Sequence, residues 1–377
     1  MSDVGPMSNV GPMSNVGPMS NVGRFGVIGA GWRAEFFLKL AGLLPDRLEV
    51  AGVVVRRPEV AERVAARWAV ATFDDVDGLL AAGPVDFVIV SVPWAAAPGL
   101  ITDLVRRGVR VLSETPPAPD EAGLRRLWDD VGGTGLVQVA EQYLMLPGHS
   151  ARRAVVGRGT IGAPTSVQVC STHGYHAVSM MRGFLGAGFE PATVSAQTFT
   201  APLLQPLTRD GWSDDDEPRP TETTLATIDF GAGQMGLYDF TGNQWHNPLR
   251  SRRLVVRGSL GEIVDDEVVR LAGPRTVVRT PLVRRQVGYD LDLDGYDTDH
   301  ITFDGEVMWR NDFFGTRLAD EEIAISTLLV RTAAWAQDRG PAPYPLAEAS
   351  QDHLISLAID ASAAQGRPVT TTLGLFG

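Results

Sequence analysis

The sequence has one cysteine, Cys170, and therefore can form no internal disulfide. We expect a cytoplasmic protein, since cysteine-poor chains without disulfides are typical of that compartment. No apolar run reaches the roughly 18 residues that predict a membrane-spanning helix, so no membrane partner is expected. A basic excess is also missing, because 45 acidic residues outnumber 33 basic ones. Nucleic-acid partners are therefore not expected either.

The first 23 residues repeat Met-Ser-Asn-Val-Gly-Pro with a period of six, after one copy with Asp in place of Asn. They contain no basic segment followed by an apolar one, which argues against a secretory signal. With so few large apolar side chains this stretch cannot bury a core. We predict a disordered tail over 1–23, with a partner-binding segment as the alternative.

A glycine-rich turn follows the tail. Residues 24–30 form an apolar run typical of a strand in a parallel sheet, the turn Gly29-x-Gly31-x-x-Ala34 follows, and 35–41 look helical. The β-branched run 48–55 completes a strand, turn, helix and strand, the unit of a Rossmann-type dinucleotide site. Gly29 permits a tight turn, Gly31 lets the backbone approach a pyrophosphate, and Ala34 allows close packing of helix on strand. The alternative is a glycine turn with a purely structural role.

The residues after the second strand bear on the choice of coenzyme. An acidic residue there would bind the ribose 2′-hydroxyl of NAD. Here Val55 is followed by Arg56 and Arg57, and a guanidinium suits a 2′-phosphate. We therefore expect NADP(H) to be preferred over NAD(H). The alternative is a pair of solvated arginines before a helix that starts near Pro58.

Further strands and helices alternate up to residue 141, with strands predicted over 86–93, 109–114 and 135–141 and helices over 100–107 and 120–131. This alternation predicts a doubly wound parallel sheet in an α/β fold. Ligands of such sheets lie at the carboxyl ends of the strands. The candidate coenzyme-binding residues are therefore Gly29, Gly31, Trp32, Arg33, Arg56, Arg57, Ser91, Pro93, Trp94, Glu114 and Thr115.

At this point the chain resembles the glucose–fructose oxidoreductase and inositol dehydrogenase (Gfo/Idh/MocA) family over residues 24–372. The similar motifs are the glycine turn, the Val-Pro turn at 92–93, Glu114-Thr115-Pro116, and the segments 157–162, 174–186, 256–261 and 366–369. The resemblance implies a Rossmann domain over 24–146. It also implies a C-terminal α/β domain over 147–377 with a large, mostly antiparallel sheet that forms a homodimer or homotetramer. The usual reaction is hydride transfer between a nicotinamide and a sugar, cyclitol or related small molecule.

Three positions depart from the family pattern. Thr115 replaces the lysine that contacts nicotinamide and substrate, and threonine cannot supply its charge. Thr172 and Ser179 replace aspartates that often flank the catalytic histidine, which here is His176. The chain is therefore an atypical member. Imine reductases of the same fold also lack the lysine, so imine reduction is one alternative function. A dinucleotide-binding sensor or scaffold without redox turnover is the other.

His176 begins a helix whose apolar positions predict a core-facing stripe, and imidazole suits proton transfer near neutral pH. A buried structural histidine is the alternative. The candidate catalytic residues are His176, Tyr175, His173 and Thr115. The candidate substrate contacts are Glu141, Tyr143, His173 and His176, where Glu141 could instead cap the cleft as a charge and Tyr143 could only pack.

No metal site is expected. His173 and His176 have no nearby carboxylate or cysteine in the local sequence. Asp290-x-Asp292-x-Asp294-Gly295 opens like a calcium loop, but Ile301 stands where the bidentate Glu belongs and 277–289 reads as strand. We interpret it as a solvated acidic loop. Residues 208–221, with four consecutive acidic residues and two prolines, are predicted to be a loop, either disordered or a mobile lid.

Overall fold

The computed structural model describes residues 22–290, 295–372 and 376. Residues 1–21 of the predicted tail and residues 291–294 of the acidic calcium-loop lookalike lie outside the described residues. The segment before that loop is the strand that was predicted. The first strand already begins at Gly23, the last residue that was assigned to the tail.

The N-terminal half forms a six-stranded parallel sheet in the order β3-β2-β1-β4-β5-β6, as predicted for a doubly wound fold. Its apolar runs are buried from both sides, which is why they read as strands in the sequence. The strands are β1 Gly23–Ile28, β2 Leu48–Val54, β3 Thr72–Phe73, β4 Phe87–Val90, β5 Val111–Ser113 and β6 Val137–Val139.

Five helices connect these strands: α1 Trp32–Leu43, α2 Pro58–Trp68, α3 Val76–Ala81, α4 Ala97–Arg106 and α5 Glu121–Val131. Asp75 and Asp120 cap α3 and α5 by accepting backbone N–H groups three residues on. Helix α1 begins directly after Gly31, so its free N-terminal amides lie at the carboxyl end of β1.

The second sheet has eleven strands, and only β7 and β12 pair in parallel. The predicted mostly antiparallel sheet is therefore confirmed. Its order is β18-β17-β16-β15-β14-β13-β7-β12-β11-β8-β19. The strands are β7 Pro164–Val169, β8 Thr193–Leu203, β11 Arg219–Gly231, β12 Gln234–Thr241, β13 Leu254–Gly258, β14 Gly261–Val264, β15 Glu267–Gly273, β16 Thr276–Val287, β17 Asp297–Phe303, β18 Glu306–Arg310 and β19 Val369–Thr370, while β9 Leu207–Thr208 and β10 Gly211–Trp212 form a separate hairpin.

The described residues of this half include the α-helices α6 Pro147–Gly157, α7 Gly174–Leu185, α8 Asp320–Ala336 and α9 Leu346–Gln365. The apolar stripe predicted for α7 is buried, and together with α9 it packs on the large sheet. Helix α8 instead joins the core of the nucleotide sheet, where Ile323, Leu328 and Leu329 pack with Phe25 and Phe87. The domain boundary at residue 146 stays a prediction, because α8 of the C-terminal half packs in the core of the N-terminal sheet.

The prediction of a loop over 208–221 is confirmed for 213–218, which include the four acidic residues and form no helix or strand, but not for the residues on either side. Strands β9 and β10 pair around a two-residue turn at Arg209 and Asp210, and Arg219 already belongs to β11. The acidic residues and prolines hid these strands. Pro220 lies at the end of β11 that pairs with β8 alone, since the pairing with β12 begins at Thr223. That end has one neighbouring strand and needs fewer N–H donors, so proline is tolerated there.

Candidate active site

The glycine turn sits tightly against the end of the neighbouring strand. Gly29 has φ +116°, and a Cβ there would lie 2.0 Å from the carbonyl oxygen of Ser91. A larger residue would both strain the backbone and push β1 away from β4. The fold therefore requires glycine at this position for its own packing.

Gly31 is a different case. Its φ of −78° suits any residue, and a Cβ would meet no protein atom within 4 Å. Packing therefore does not demand glycine here. The open space lies before the N-terminal amides of α1, which favour an anion, and it is the space that a pyrophosphate needs. The residues present fit a dinucleotide.

A cavity of about 250 Å³ opens in front of this turn. It brings together many of the predicted coenzyme-binding residues, although they come from three separate strand ends. Those on its wall are Gly31, Trp32, Arg33, Ser91, Trp94, Glu114 and Thr115. Gly29 and Pro93 belong to the same turns but do not line it. The cavity confirms that the carboxyl ends of β1, β4 and β5 share one crevice.

Arg56 and Arg57 follow the end of β2, and both are exposed. Arg57 is the N-cap of α2, whose start at Pro58 matches the sequence prediction. Within the described residues neither guanidinium has a hydrogen-bond or ion-pair partner. The two positive charges are therefore available to a ligand at this edge.

Glu114 directly follows β5 and lines the cavity in front of the glycine turn. Its Oε1 is 3.8 Å from Nε of Arg33, which also pairs with Glu321 at 3.1 Å. Burial raises the pKa of Glu114, and the Arg33 charge and then the charge on His176 oppose that rise. The electrostatic coupling with His176 shows that the coenzyme crevice and the histidine cluster adjoin.

The main polar contact of the cluster joins β6 to α7. Glu141 follows β6, and its Oε2 lies 2.5 Å from Nδ1 of His176, while its Oε1 accepts the backbone N–H of Tyr143 at 3.0 Å. The Glu141 and His176 side chains are only 3% and 7% exposed. Both carboxylate oxygens are thus partnered, which is the condition for keeping such a group buried. The Nε2 atom of His176 has no hydrogen-bond partner in the part of the chain that the structure describes.

Three of the other predicted residues surround this imidazole as aromatic rings. The ring centroids of Tyr175 and Tyr143 lie 4.4 and 4.5 Å from that of His176. The ring centroid of His173 lies 5.1 Å from it, with the two rings edge to face. Burial lowers the pKa of His173 to about 3, with a smaller contribution from His176, so His173 is neutral at physiological pH. Burial raises the pKa of Tyr143 to about 12. It also raises that of Tyr175, although the nearby Thr115 side chain partly offsets the shift.

The replaced family positions have distinct surroundings. The Ser179 hydroxyl donates to the backbone carbonyl of His176 at 2.9 Å, so it supports the helix rather than the imidazole. Thr172 is fully buried, and its Oγ1 lacks a hydrogen-bond partner among the described residues. The carboxylate beside the histidine is therefore Glu141. Lys39, the one lysine in the sequence, pairs with Glu322 at 2.5 Å and supplies no charge to the cluster.

Two residues of the cluster were missed by sequence reasoning. Trp245 packs its ring 4.8 Å from that of His173, edge to face. His353, on α9, lies 5.6 Å from the ring of Tyr175, and burial lowers its pKa to about 4. No local motif marks either position, because both reach the cluster from elements remote in sequence.

Comparison with known proteins agrees with this arrangement. The sequence model of a family described as an oxidoreductase family with an NAD-binding Rossmann fold, GFO_IDH_MocA, matches residues 23–141. Residues 23–141 are therefore similar to this oxidoreductase family. The predicted Rossmann fold of this part of the chain is confirmed.

Solved structures extend the likeness to the whole fold. A myo-inositol dehydrogenase from Corynebacterium glutamicum is 18% identical at a TM-score of 0.65, over 94% of this chain and 100% of that one. A levoglucosan dehydrogenase in complex with NADH is 17% identical at 0.66, with the same coverage. The WlbA dehydrogenase from Bordetella pertussis, in complex with NADH and UDP-GlcNAcA, is 16% identical at 0.62, over 95% and 100%. No curated protein matches the sequence.

Among the described residues, no helix is long and apolar enough to cross a membrane. In that same part of the chain, no group of three His, Cys, Asp or Glu side chains is placed to hold a metal ion.

Proposed function

We propose that this protein is an NAD(P)-dependent oxidoreductase that acts on a carbonyl or alcohol carbon of a sugar, cyclitol or related ring. The observation that carries the proposal is the buried hydrogen bond between Glu141 and His176, next to a crevice that fits a dinucleotide. The crevice provides coenzyme binding and the pair provides proton transfer. Such a reaction needs both.

The Glu141 carboxylate determines how His176 works. By accepting from Nδ1–H it holds the ring in the tautomer whose Nε2 is a base, and it stabilises the imidazolium once Nε2 takes a proton. Nε2 then serves as acid or base at the substrate oxygen or nitrogen. The neutral rings of Tyr143, Tyr175 and His173 exclude water around it. Glu141 thus gives His176 the carboxylate partner that Thr172 and Ser179 cannot supply.

A bound nicotinamide would exchange hydride at its C4 atom, in the crevice lined by Glu114 and Thr115. Gly31 and the first amides of α1 would hold the pyrophosphate. Two exposed arginines without protein partners, Arg56 and Arg57, support a preference for NADP(H) over NAD(H), since a 2′-phosphate would give them an anionic partner.

Imine reduction is the second candidate, and Thr115 favours it. A lysine at this position could polarise a carbonyl oxygen, and no lysine reaches the cluster because the only one pairs with Glu322. A protonated imine is already electrophilic and has less need of that charge. The same Glu141–His176 pair would then deliver the proton to nitrogen.

A panel of ketoses, ketocyclitols and cyclic imines, each tested with NADPH and NADH, examines the proposal. We expect NADPH oxidation with at least one member, and the class that reacts distinguishes the two candidates. Coenzyme binding with no oxidation by any member would favour a non-redox sensor or scaffold instead. The buried Glu141–His176 pair favours the enzyme over such a protein, because coenzyme binding alone does not require proton transfer.

We further propose that two or four copies associate through the outer face of the large sheet. Phe199, Val277 and Val283 on this sheet are each about half exposed or more, at 47%, 65% and 54%. The proposal rests on the family resemblance, which implies an oligomerising sheet, and these exposed apolar side chains are compatible with it. Sedimentation velocity would give a dimer or tetramer mass, and a monomer at micromolar concentration would contradict it.

A further inference from the structure

One contact reaches from the C-terminal half to the glycine turn. The guanidinium of Arg209, in the turn between β9 and β10, lies 4.5 Å from the centroid of the Trp32 ring. Trp32 is the first residue of α1, directly after Gly31, and its side chain is 49% exposed on the cavity wall. The hairpin therefore reaches the residue that directly follows Gly31, where the coenzyme pyrophosphate would lie nearby.

A second guanidinium shares the same ring. Arg33 lies 4.6 Å from the Trp32 centroid, but its charge is balanced by Glu321 and Glu114. Arg209 is exposed, and no carboxylate of residues 22–290, 295–372 or 376 pairs with it. The only opposite charge beside it in the turn is Asp210. Arg209 thus places a positive charge beside Trp32, a residue of the cavity wall, with no carboxylate partner among the described residues.

A purely structural contact would explain the stacking but not the position of the free charge. Two guanidinium groups near one indole repel each other, and an anion close to both would lower that cost. The cavity beside them is the one that fits a dinucleotide, whose pyrophosphate carries two negative charges. A guanidinium can donate two hydrogen bonds to such an oxygen pair.

We propose that Arg209 is a coenzyme-binding residue supplied by the C-terminal half, positioned by Trp32 to pair with the pyrophosphate. This inference rests on the proposed function, because it needs a dinucleotide in the crevice. It gives the β9–β10 hairpin a role that the sequence left open. The hairpin closes the coenzyme site from above, while the glycine turn holds it from below.

Calorimetric titration of the full chain with NADPH and NADH tests this. We expect Arg209→Ala to raise Kd for both coenzymes about fivefold, the size of a lost exposed guanidinium contact. The matched control is Arg219→Ala, a second exposed arginine just beyond the hairpin, which pairs with Asp215 and should leave Kd within twofold. Raising the salt concentration should weaken wild-type binding more than Arg209→Ala binding, because the lost contact is ionic.

Equal affinities of wild type and Arg209→Ala would overturn the inference while leaving the proposed function intact. An equal loss in Arg219→Ala, or a salt dependence unchanged by Arg209→Ala, would also overturn it. If the wild type binds no dinucleotide at all, the proposed function fails first, and the two failures are distinguishable.

Discussion

The glycine turn and the Glu141–His176 pair are built in opposite ways. The turn is a continuous stretch of six residues, partly open to solvent, and the groups that would bind an anion there are backbone amides. The pair joins side chains 35 positions apart, from β6 and α7, and is almost wholly buried. Binding an anion needs only free amides and space. Moving a proton needs a histidine held in one tautomer inside a dry cluster.

The two halves of the chain also differ in where their histidines lie. All six histidines follow residue 146, and none lies in the predicted nucleotide-binding domain. Burial lowers the pKa of His149 and His173 to about 3 and of His353 to about 4. The half that holds the acid–base cluster is therefore also the half whose stability should respond to acid.

Removal of the imidazole should separate the two functions most strongly. We expect His176→Ala to lower kcat about 1,000-fold, the usual size of a lost general acid or base, and to leave coenzyme Kd within twofold. Steady-state kinetics and calorimetry measure the two effects. His300→Ala, on β17 and outside the cluster, is the control. Undiminished turnover in His176→Ala would remove this residue from the chemistry.

Glu141→Gln should have the next largest effect. The amide keeps the shape of the side chain but loses the charge and favours the wrong tautomer of His176, so we expect kcat to fall about 100-fold. The pH profile of kcat/KM should change as well, which a loss of packing alone would not cause. Glu222→Gln, at an exposed position, is the matched control. A wild-type profile in Glu141→Gln would mean that the carboxylate only fills space.

The arginine pair tests the other side of the comparison. Replacement of both Arg56 and Arg57 by alanine should raise Kd for NADPH about tenfold and change Kd for NADH less than twofold, because only NADPH carries the 2′-phosphate. Titration with both coenzymes gives the ratio. Arg63→Ala, on the helix α2 that follows the pair and itself paired with Glu35, serves as control. A parallel loss for both coenzymes would contradict the NADP(H) preference.

The smallest effect concerns pH and stability. The pKa of His353 is lowered to about 4 in the folded chain against about 6.5 when unfolded. Its contribution is therefore present above pH 6.5 and is lost as pH falls towards 4, by about 1 kcal/mol between pH 7.5 and 5.5. Urea unfolding should show a pH dependence that is weaker by that amount in His353→Gln. An equal pH dependence in both proteins would show that folding does not lower the pKa of His353.

What could be predicted from the sequence follows the same division. The glycine turn, the alternating strands and helices and the α7 stripe are local patterns, and they were confirmed. The β9–β10 hairpin was missed because its strands are two residues each and its flanks are acidic. The contact of Glu141 with His176 depends on how β6 meets α7, which no local pattern records. Trp245 and His353 join the cluster through the order of strands in the large sheet and the packing of α9.

Transfer of deuterium from C4-deuterated NADPH to product, followed by mass spectrometry, tests the central claim most directly. The measurement uses wild-type protein with each cyclic ketone and imine of the panel, and His176→Ala as the matched protein. We predict one deuterium on the product carbon with wild type and a rate of transfer about 1,000-fold lower with His176→Ala. Tight NADPH binding with no deuterium in any product would contradict the account and identify a dinucleotide-binding protein without redox turnover.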